Sequence, residues 1–232
     1  MPRPANPALR EEILRTALQC IEAHGAAALT MREVAGALGY SATTLYQHFA
    51  SKEELLLTLK LQAGDLLTAE MEKARQEPTV AAQLLAMGHA YVRFGLDNPA
   101  YYRLIFQDTE SGVMPTEVHI TRMRQSWAIM RDTLKAWLEE DGISGVDVDQ
   151  EAHVLWAMGH GVTSLALAGR FPFSDRDSVM ALFDIAALRW GQGLFGQQSQ
   201  PRDAAQECGK VSPPRPPTRQ SKPSKKPRRK AR

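Results

Sequence analysis

Apolar side chains recur at three- and four-residue intervals along most of this chain, and this spacing constrains the fold more than any other feature. Ile13, Ala17 and Ile21 follow one another at intervals of four, which places their side chains on one face of an α-helix. No segment shows the sustained alternation that is typical of a strand. The pattern therefore predicts an all-α protein, with a first helix over residues 7–24 that ends at Gly25.

Two short helices with a glycine between them follow the first helix. Thr30 and Glu33 form a T-x-x-E pattern, in which the threonine hydroxyl caps the first amide donors and the glutamate reaches back to the cap. This second helix should end at Gly39, because glycine readily adopts the left-handed conformation of a tight turn. Ser41 is then placed to cap a third short helix over residues 41–49.

The remaining helices are separated by proline, glycine and aspartate residues. A long fourth helix over about 52–76 is capped by Ser51 and ends before Pro78. The apolar spacing predicts further helices at about 79–96, 99–107, 115–140, 149–169 and 175–195. We expect residues 1–52 to form a helix-turn-helix DNA-binding domain, from which the linking helix 52–76 leads to a helical domain for ligand binding and dimerisation over residues 78–196.

Residues 197–232 differ from the rest of the chain in composition. They hold eleven Lys or Arg, two acidic residues and seven of the fourteen prolines; since the whole chain has a net charge of +2, residues 1–196 carry −7. A segment with few large apolar side chains cannot bury enough surface to offset the entropy lost on ordering. We expect a disordered, polycationic tail that either adds salt-dependent affinity for DNA or is only a solubilising extension.

Composition and spacing argue against several classes of protein. Cys20 lies in an amphipathic run and Cys208 in the polar tail, which disfavours a disulfide and favours a reducing compartment. No run approaches the roughly 20 apolar residues of a membrane span, and the first residues lack the apolar core of a signal peptide. The histidines show no metal-ligand spacing, and no phosphate-binding glycine loop or nucleophile elbow occurs. We expect a cytoplasmic protein without metal, cofactor, catalytic residues or membrane association.

The two short helices and their glycine turn predict a helix-turn-helix, the unit that places its second helix in the major groove of DNA. Val34 and Leu38 are expected to pack inward, and Leu45 and Phe49 to anchor the second helix at four-residue spacing. The side chains left outside are small or carry hydroxyl and amide groups, which a major groove can accept. On periodicity alone, a structural bundle without DNA contacts fits three short helices as well.

The string TMREVAGALGYSATTLYQHFASKEELL resembles the hallmark of the tetracycline-repressor (TetR) family of bacterial regulators, and the likeness is close over about residues 8–60. Farther on, NPAYYRLIF and the W-x-x-x-HG pattern of Trp156, His160 and Gly161 resemble a C-terminal domain found in one branch of that family. The resemblance implies a homodimeric repressor that a small-molecule effector releases from double-stranded operator DNA. The alternatives are a helical ligand-binding or adaptor protein without DNA binding and, least favoured, an enzyme.

The resemblance also implies roles for individual residues. Phosphate contacts are expected from Thr30, Tyr46, His48 and Lys52, and positions toward base edges from Ala42, Thr43, Thr44 and Gln47, with Ser41 on the same surface. The division suits the chemistry, because phosphate contacts set position and a glutamine can pair two hydrogen bonds with adenine. Residues 1–49 hold four Arg and four Glu, so binding would rely on a few placed groups rather than on a basic surface.

The C-terminal domain is expected to enclose an effector cavity. Its candidate wall residues are aromatic, methionine and histidine side chains on largely apolar faces, namely Met87, Tyr91, Phe94, Phe106, Met123, Trp127, Trp156 and His160. Such residues at helical spacing also suit a plain core, and His160 also suits a core histidine bonded to a backbone carbonyl. The last two helices are strongly apolar and rich in glycine, which predicts a symmetric four-helix dimer interface.

Overall fold

The computed structural model describes residues 7–106 and 115–198, and its regular elements are α-helices. They are α1 (Pro7–His24), α2 (Met31–Ala37), α3 (Ala42–Tyr46), α4 (Lys52–Ala74), α5 (Val80–Asp97), α6 (Pro99–Phe106), α7 (Glu117–Met123), α8 (Gln125–Glu140), α9 (Val148–Leu167) and α10 (Arg176–Gln198). Within these two ranges no strand occurs, and the predicted all-α fold is confirmed. No helix in the described part is long and apolar enough to cross a bilayer.

The first helices begin and end at the residues that the sequence indicates. The hydroxyls of Thr30, Ser41 and Ser51 each accept the amide N–H three residues farther on, at 3.1, 3.3 and 3.2 Å. Gly25 and Gly39 follow α1 and α2 with φ angles of +82° and +72°, a region that only glycine adopts without strain. Local capping chemistry thus fixes the turn between the second and third helices.

Two details of this region differ from expectation. The Glu33 carboxylate lies 3.2 Å from Nδ1 of His24 instead of returning to the cap, so the predicted capping box is only half formed. The third helix is α-helical only over Ala42–Tyr46. Its end tightens into a turn in which the His48 amide donates to the Leu45 carbonyl at 2.9 Å, the three-residue spacing of a 3₁₀ turn.

The single helix predicted over 115–140 is wrong, because the chain bends at Arg124 and forms α7 and α8. Arg124 has φ −91° and ψ −3°, and its amide donates to the Ile120 carbonyl at 3.1 Å. An ion pair between Arg122 and Asp65, with 2.6 Å between Nε and Oδ1, holds α7 on α4. Apolar spacing does not register the interruption of a helix at a single residue.

The last helix is longer than predicted. It continues through Gln198, two residues into the segment expected to be a tail, because Gly196 does not take a positive φ and so does not end it. The expected disorder of the tail beyond this point lies outside the described residues.

We call α1 to α3 and the first two turns of α4 the head, and the remaining helices, with the rest of α4, the body. The head packs around one apolar core, to which α1, α3 and α4 contribute Ile13, Leu45 and Leu59, each 0% exposed. Ala100 and Leu104 of α6 belong to the same core, although they lie far along the sequence. The head is therefore closed by a helix that comes from the body.

The body is assembled around α5, which contacts α4, α8, α9 and α10. The 23 residues of α4 span about 35 Å at 1.5 Å per residue, so this helix runs from the head into the body. Gly95 of α5 allows close approach of its neighbours, because a Cβ there would lie 2.3 Å from Cγ2 of Thr163 and 3.0 Å from Cδ2 of Tyr102. Both neighbours are 0% exposed and have no room to retreat.

We predict that Gly95→Ala destabilises the protein by about 1–3 kcal/mol, the usual cost of overpacking a close-packed interior. Gly36→Ala is the matched control, since a Cβ at this helical position meets no atom within 4 Å and alanine is the better helix former. Urea-induced unfolding followed by circular dichroism measures both. Equal stability of the two variants would contradict the packing described for α5.

Candidate nucleic-acid interface and ligand cavity

The outer face of α3 is polar, and its inner face is anchored in the head core. Leu45 and Phe49 are 0% and 1% exposed, so they fix the orientation of the helix. Thr43, Tyr46 and Gln47 point outward and are exposed, Tyr46 by 52%. A rigidly held helix with outward hydroxyl and amide groups has the chemistry that a major groove accepts.

The other residues proposed from the sequence for this surface are less available. The Ser41 and Thr44 hydroxyls lie 3.1 Å apart, and Ser41 also caps α3, so both groups are already engaged within the protein. Ala42 and His48 are half-buried. The buried Nδ1 of His48 has no hydrogen-bond partner among the described residues. Thr43 and Gln47 are thus the most exposed of the expected base-reading side chains.

Thr30 and Lys52 lie at the N-terminal ends of α2 and α4. Thr30 is exposed, and its hydroxyl accepts the Glu33 amide. The Lys52 ammonium donates to the Ala27 carbonyl at 3.0 Å, which joins the start of α4 to the loop between α1 and α2. Each of these groups keeps further hydrogen-bonding capacity, since an ammonium has three donors and a hydroxyl that accepts can still donate.

The body holds an open cavity of about 1130 Å³, slightly larger than the roughly 300–1,000 Å³ typical of small-molecule sites. Six of the wall residues proposed from the sequence line it: Met87, Tyr91, Phe106, Met123, Trp127 and Trp156. Two do not, because Phe94 packs into the core behind the wall and His160 lies behind Tyr91. The structure therefore brings six of the eight side chains together around one space.

A hydrogen-bonded cluster lies directly behind this wall. The Trp156 N–H donates to the Tyr91 hydroxyl oxygen at 3.2 Å. Nδ1 of His160 lies 3.1 Å from the Tyr91 hydroxyl and 2.8 Å from the Tyr102 hydroxyl. The Tyr102 hydroxyl is also 3.2 Å from the His160 carbonyl oxygen. Because Nδ1 has one lone pair, the two phenols compete for it, and Tyr102 has the carbonyl as its alternative acceptor.

The protonation states in the cluster follow from its burial. Burial lowers the pKa of His160, which favours the neutral ring with an accepting nitrogen. Burial raises the pKa of Tyr102 to about 12 and raises that of Tyr91 as well, so both phenols stay protonated and donate. The ring of His160 is thus held by phenols rather than by a backbone carbonyl.

The sequence interpretation missed α6 as the helix shared by head and cavity. Ala100 and Leu104 pack into the head core, whereas Tyr102 and Phe106 pack into the core beside the cavity. The signal was present in PAYYRLIF, because two apolar pairs at four-residue spacing are offset by two residues. Such an offset places the pairs on opposite faces of one helix.

The contribution of α10 to the cavity was also not predicted from the sequence. Phe183, Asp184 and Trp190 line it, although the sequence assigns this helix only to dimerisation. Nε2 of His89 lies 2.5 Å from Oδ1 of Asp184, so an imidazole–carboxylate pair ties α5 to α10 at the wall. A helix that is apolar on most sides gives no indication of which face meets a cavity.

We predict that His160 makes stability depend on pH. With the pKa of His160 lowered in the folded state, the unfolded chain takes up the proton first, so this contribution is complete above about pH 6.5 and is lost as pH falls toward the folded pKa. His160→Gln should flatten the decline of the melting temperature between about pH 7.5 and about pH 5. The exposed His153 provides the control variant His153→Gln, and an unchanged slope in His160→Gln would contradict the assignment.

Comparison with known proteins matches both parts of the chain. A family model described as bacterial regulatory proteins, tetR family, matches residues 13–59, and one described as tetracyclin repressor-like, C-terminal domain, matches residues 84–189. The uncharacterized HTH-type transcriptional regulator Rv0681 of Mycobacterium tuberculosis is 26% identical over 185 residues, which cover 80% of this chain and 81% of that protein.

Solved structures show the same architecture. The TetR family transcriptional regulator PfmR from Thermus thermophilus is 26% identical with a TM-score of 0.63, and the match covers 76% of this chain and 97% of that one. A bacterial regulatory protein in the tetR family from Rhodococcus RHA1 matches in fold, at 24% identity and a TM-score of 0.66, over 80% of this chain and 97% of its own.

The resemblance seen in the sequence is confirmed for the family, while the narrower likeness of the W-x-x-x-HG pattern stays a prediction. The two family models match the head and the body in the order expected for one regulator. The chain belongs to the TetR family of DNA-binding transcriptional regulators, which is not a family of enzymes.

Proposed function

We propose that this protein is a homodimeric repressor that binds operator DNA through α3 and leaves it when a small molecule occupies the body cavity. The observation that carries the proposal is that α6 packs both into the core that anchors α3, whose outer face is polar, and into the core beside a large apolar cavity. Repression requires access to DNA, so we place the protein in the cytoplasm.

We assign base reading chiefly to Thr43 and Gln47, the two exposed side chains among the expected base readers on and directly after α3. A glutamine amide offers one donor and one acceptor to the edge of an adenine. Tyr46, His48, Thr30 and Lys52 are assigned to phosphates, which set the position of the helix on the duplex. Ala42 would approach the groove without a polar group, and the engaged hydroxyls of Ser41 and Thr44 would mainly shape α3.

We propose that the dimer forms through α9 and α10. Large apolar side chains that do not line the cavity remain exposed on both helices, including Leu165 by 46% and Ile185 by 47%. The two helices contact each other, and exposed apolar area of this kind on one side of a molecule is typical of an interface. A two-fold pair would present two α3 helices to half-sites about 34–36 Å apart.

The structural change that releases DNA would be transmitted through α6 and α4. Both helices contribute residues to the head core and to the core beside the cavity. A ligand that displaces Phe106 or Tyr91 acts on the cluster behind the wall, and Tyr102 on α6 is part of that cluster. The opposite face of α6 carries Leu104, which is 0% exposed in the head core. A shift of α6 would therefore turn the head, and a coupling of about 1–3 kcal/mol is enough to change operator affinity 5- to 150-fold.

We predict that Gln47→Ala weakens binding to a duplex selected from a random pool by the wild-type protein. The loss should be about 1–3 kcal/mol per half-site and should relax the base preference at one position. Gln150→Ala, which removes another exposed amide at the start of α9, is the control. Fluorescence anisotropy with labelled duplexes measures both variants. Wild-type affinity and preference in Gln47→Ala would remove this residue from the interface, and a wild type that prefers no duplex would leave an adaptor without DNA binding.

We predict that Leu165→Glu converts the dimer to monomers. An unpaired carboxylate buried in an apolar interface costs several kcal/mol, so the dimer dissociation constant should rise at least roughly a hundredfold. Val118→Glu introduces the same charge on α7, where the native side chain is 74% exposed, and should leave the dimer intact. Sedimentation velocity distinguishes the two outcomes, and a dimeric Leu165→Glu protein would place the interface elsewhere.

A further inference from the structure

All four tryptophans of the chain line the cavity: Trp127, Trp137, Trp156 and Trp190. They form two pairs. The rings of Trp127 and Trp156 meet edge to face, with centroids 5.8 Å apart and an interplanar angle of 75°. The rings of Trp137 and Trp190 lie 5.5 Å apart at 38°. Large aromatic faces of this kind favour stacked and edge-on contacts with flat rings.

The indole N–H groups divide into two engaged and two available donors. Trp156 donates to Tyr91, and Trp190 donates to the Glu151 carboxylate at 2.9 Å. Trp127 makes ring contacts, its centroid lying 4.6 Å from that of His153. Neither Trp127 nor Trp137 donates an N–H to any of the described residues. An indole N–H can only donate a hydrogen bond. A ligand in the cavity can therefore satisfy these two donors with acceptor atoms.

The charged groups at the wall disfavour a cation. The Arg124 guanidinium lines the cavity. Asp184 is the one acidic side chain among the described lining residues, and its carboxylate is held by His89. A cationic ligand would meet the arginine and a carboxylate that is already paired, whereas an anionic oxygen meets no uncompensated carboxylate among these lining residues.

We propose that the cavity binds a flat aromatic acid, with its rings in the corner between Trp127 and Trp156 and an acceptor oxygen on the Trp127 N–H. This inference deepens the proposed function, because it names the chemical class of the effector. Three features converge on it: aromatic walls that match planar rings, indole donors without acceptors among the described residues, and the Arg124 guanidinium at the wall. A long aliphatic acid could also offer a carboxylate to the Trp127 N–H, but its alkyl chain would make no stacked or edge-on ring contact with the paired indoles.

The test uses the full-length protein without DNA and three probes. They are 8-anilino-1-naphthalenesulfonate, an aromatic anion, thioflavin T, an aromatic cation, and laurate, an aliphatic anion. Because every tryptophan lines the cavity, quenching of intrinsic fluorescence reports its occupation directly. We expect one sulfonate probe per chain, a dissociation constant at least roughly tenfold below that of thioflavin T, and weak displacement by laurate.

Variants then test the contact itself. Trp127→Phe keeps an aromatic ring and removes the N–H, so it should raise the dissociation constant of the sulfonate probe roughly tenfold, the usual loss for one hydrogen bond to a charged group. Trp137→Phe should have a smaller effect, and Val118→Phe, outside the cavity, should have none. Circular dichroism verifies the fold of each variant, and Trp127→Met, which also lacks an N–H or O–H donor, replaces Trp127→Phe if the latter unfolds.

Tighter binding of thioflavin T, displacement of the sulfonate by equimolar laurate, or unchanged affinity in the Trp127 variant would each overturn the proposal. These outcomes are independent of DNA. A protein that binds the sulfonate probe as expected but prefers no duplex sequence would instead reject the proposed function.

Discussion

The packing of α6 between two cores is the constraint on which the rest of the structure depends. Leu104 and Tyr102 lie on opposite faces of this short helix, and both are 0% exposed. Protein interiors are close-packed and do not absorb a displacement of one side without moving the other. We therefore propose that a change at the cavity would move α6 as a unit and would displace the head side chains that pack against it.

The cavity and the proposed dimer surface share the same two helices. On α10, Phe183 and Trp190 face the cavity, while Ile185 is exposed on the outside. On α9, Trp156 closes the wall and Leu165 is exposed. Occupation of the cavity would then act both on α6 and on the helices that set the distance between the two heads. The polar cluster of His160 and its two phenols joins these routes, because it links α5, α6 and α9.

Local sequence signals predicted the head well, and tertiary contacts account for what they missed. Thr30, Gly39 and Ser41 act through their own backbone neighbours, so their roles could be read directly from the chain. Arg122 of α7 forms an ion pair with Asp65 of α4 two residues before the bend at Arg124, and the Glu33 carboxylate lies beside His24 on another helix. Neither partner is visible in a spacing pattern.

For the cavity, residue type was a better guide than position. Aromatic and methionine side chains at helical spacing predicted six residues that do line it, but the same pattern fits Phe94, which is core. When a helix is apolar on most sides, the spacing of its residues does not show which face lines a cavity and which face forms a dimer interface. Trp190 was therefore not identified as a cavity residue. The roles of these residues in ligand binding, and of those on α3 in DNA binding, stay predictions.

We propose that α6 carries the state of the cavity to the head. Hydrogen–deuterium exchange of the full-length protein, with and without the aromatic sulfonate in the cavity, distinguishes this route from a local change. We expect altered exchange in α6 and in the amides of α1 and α3, which do not touch the cavity, and a much smaller change in the head of a Tyr102→Phe protein. Changes confined to the helices that line the cavity would contradict it.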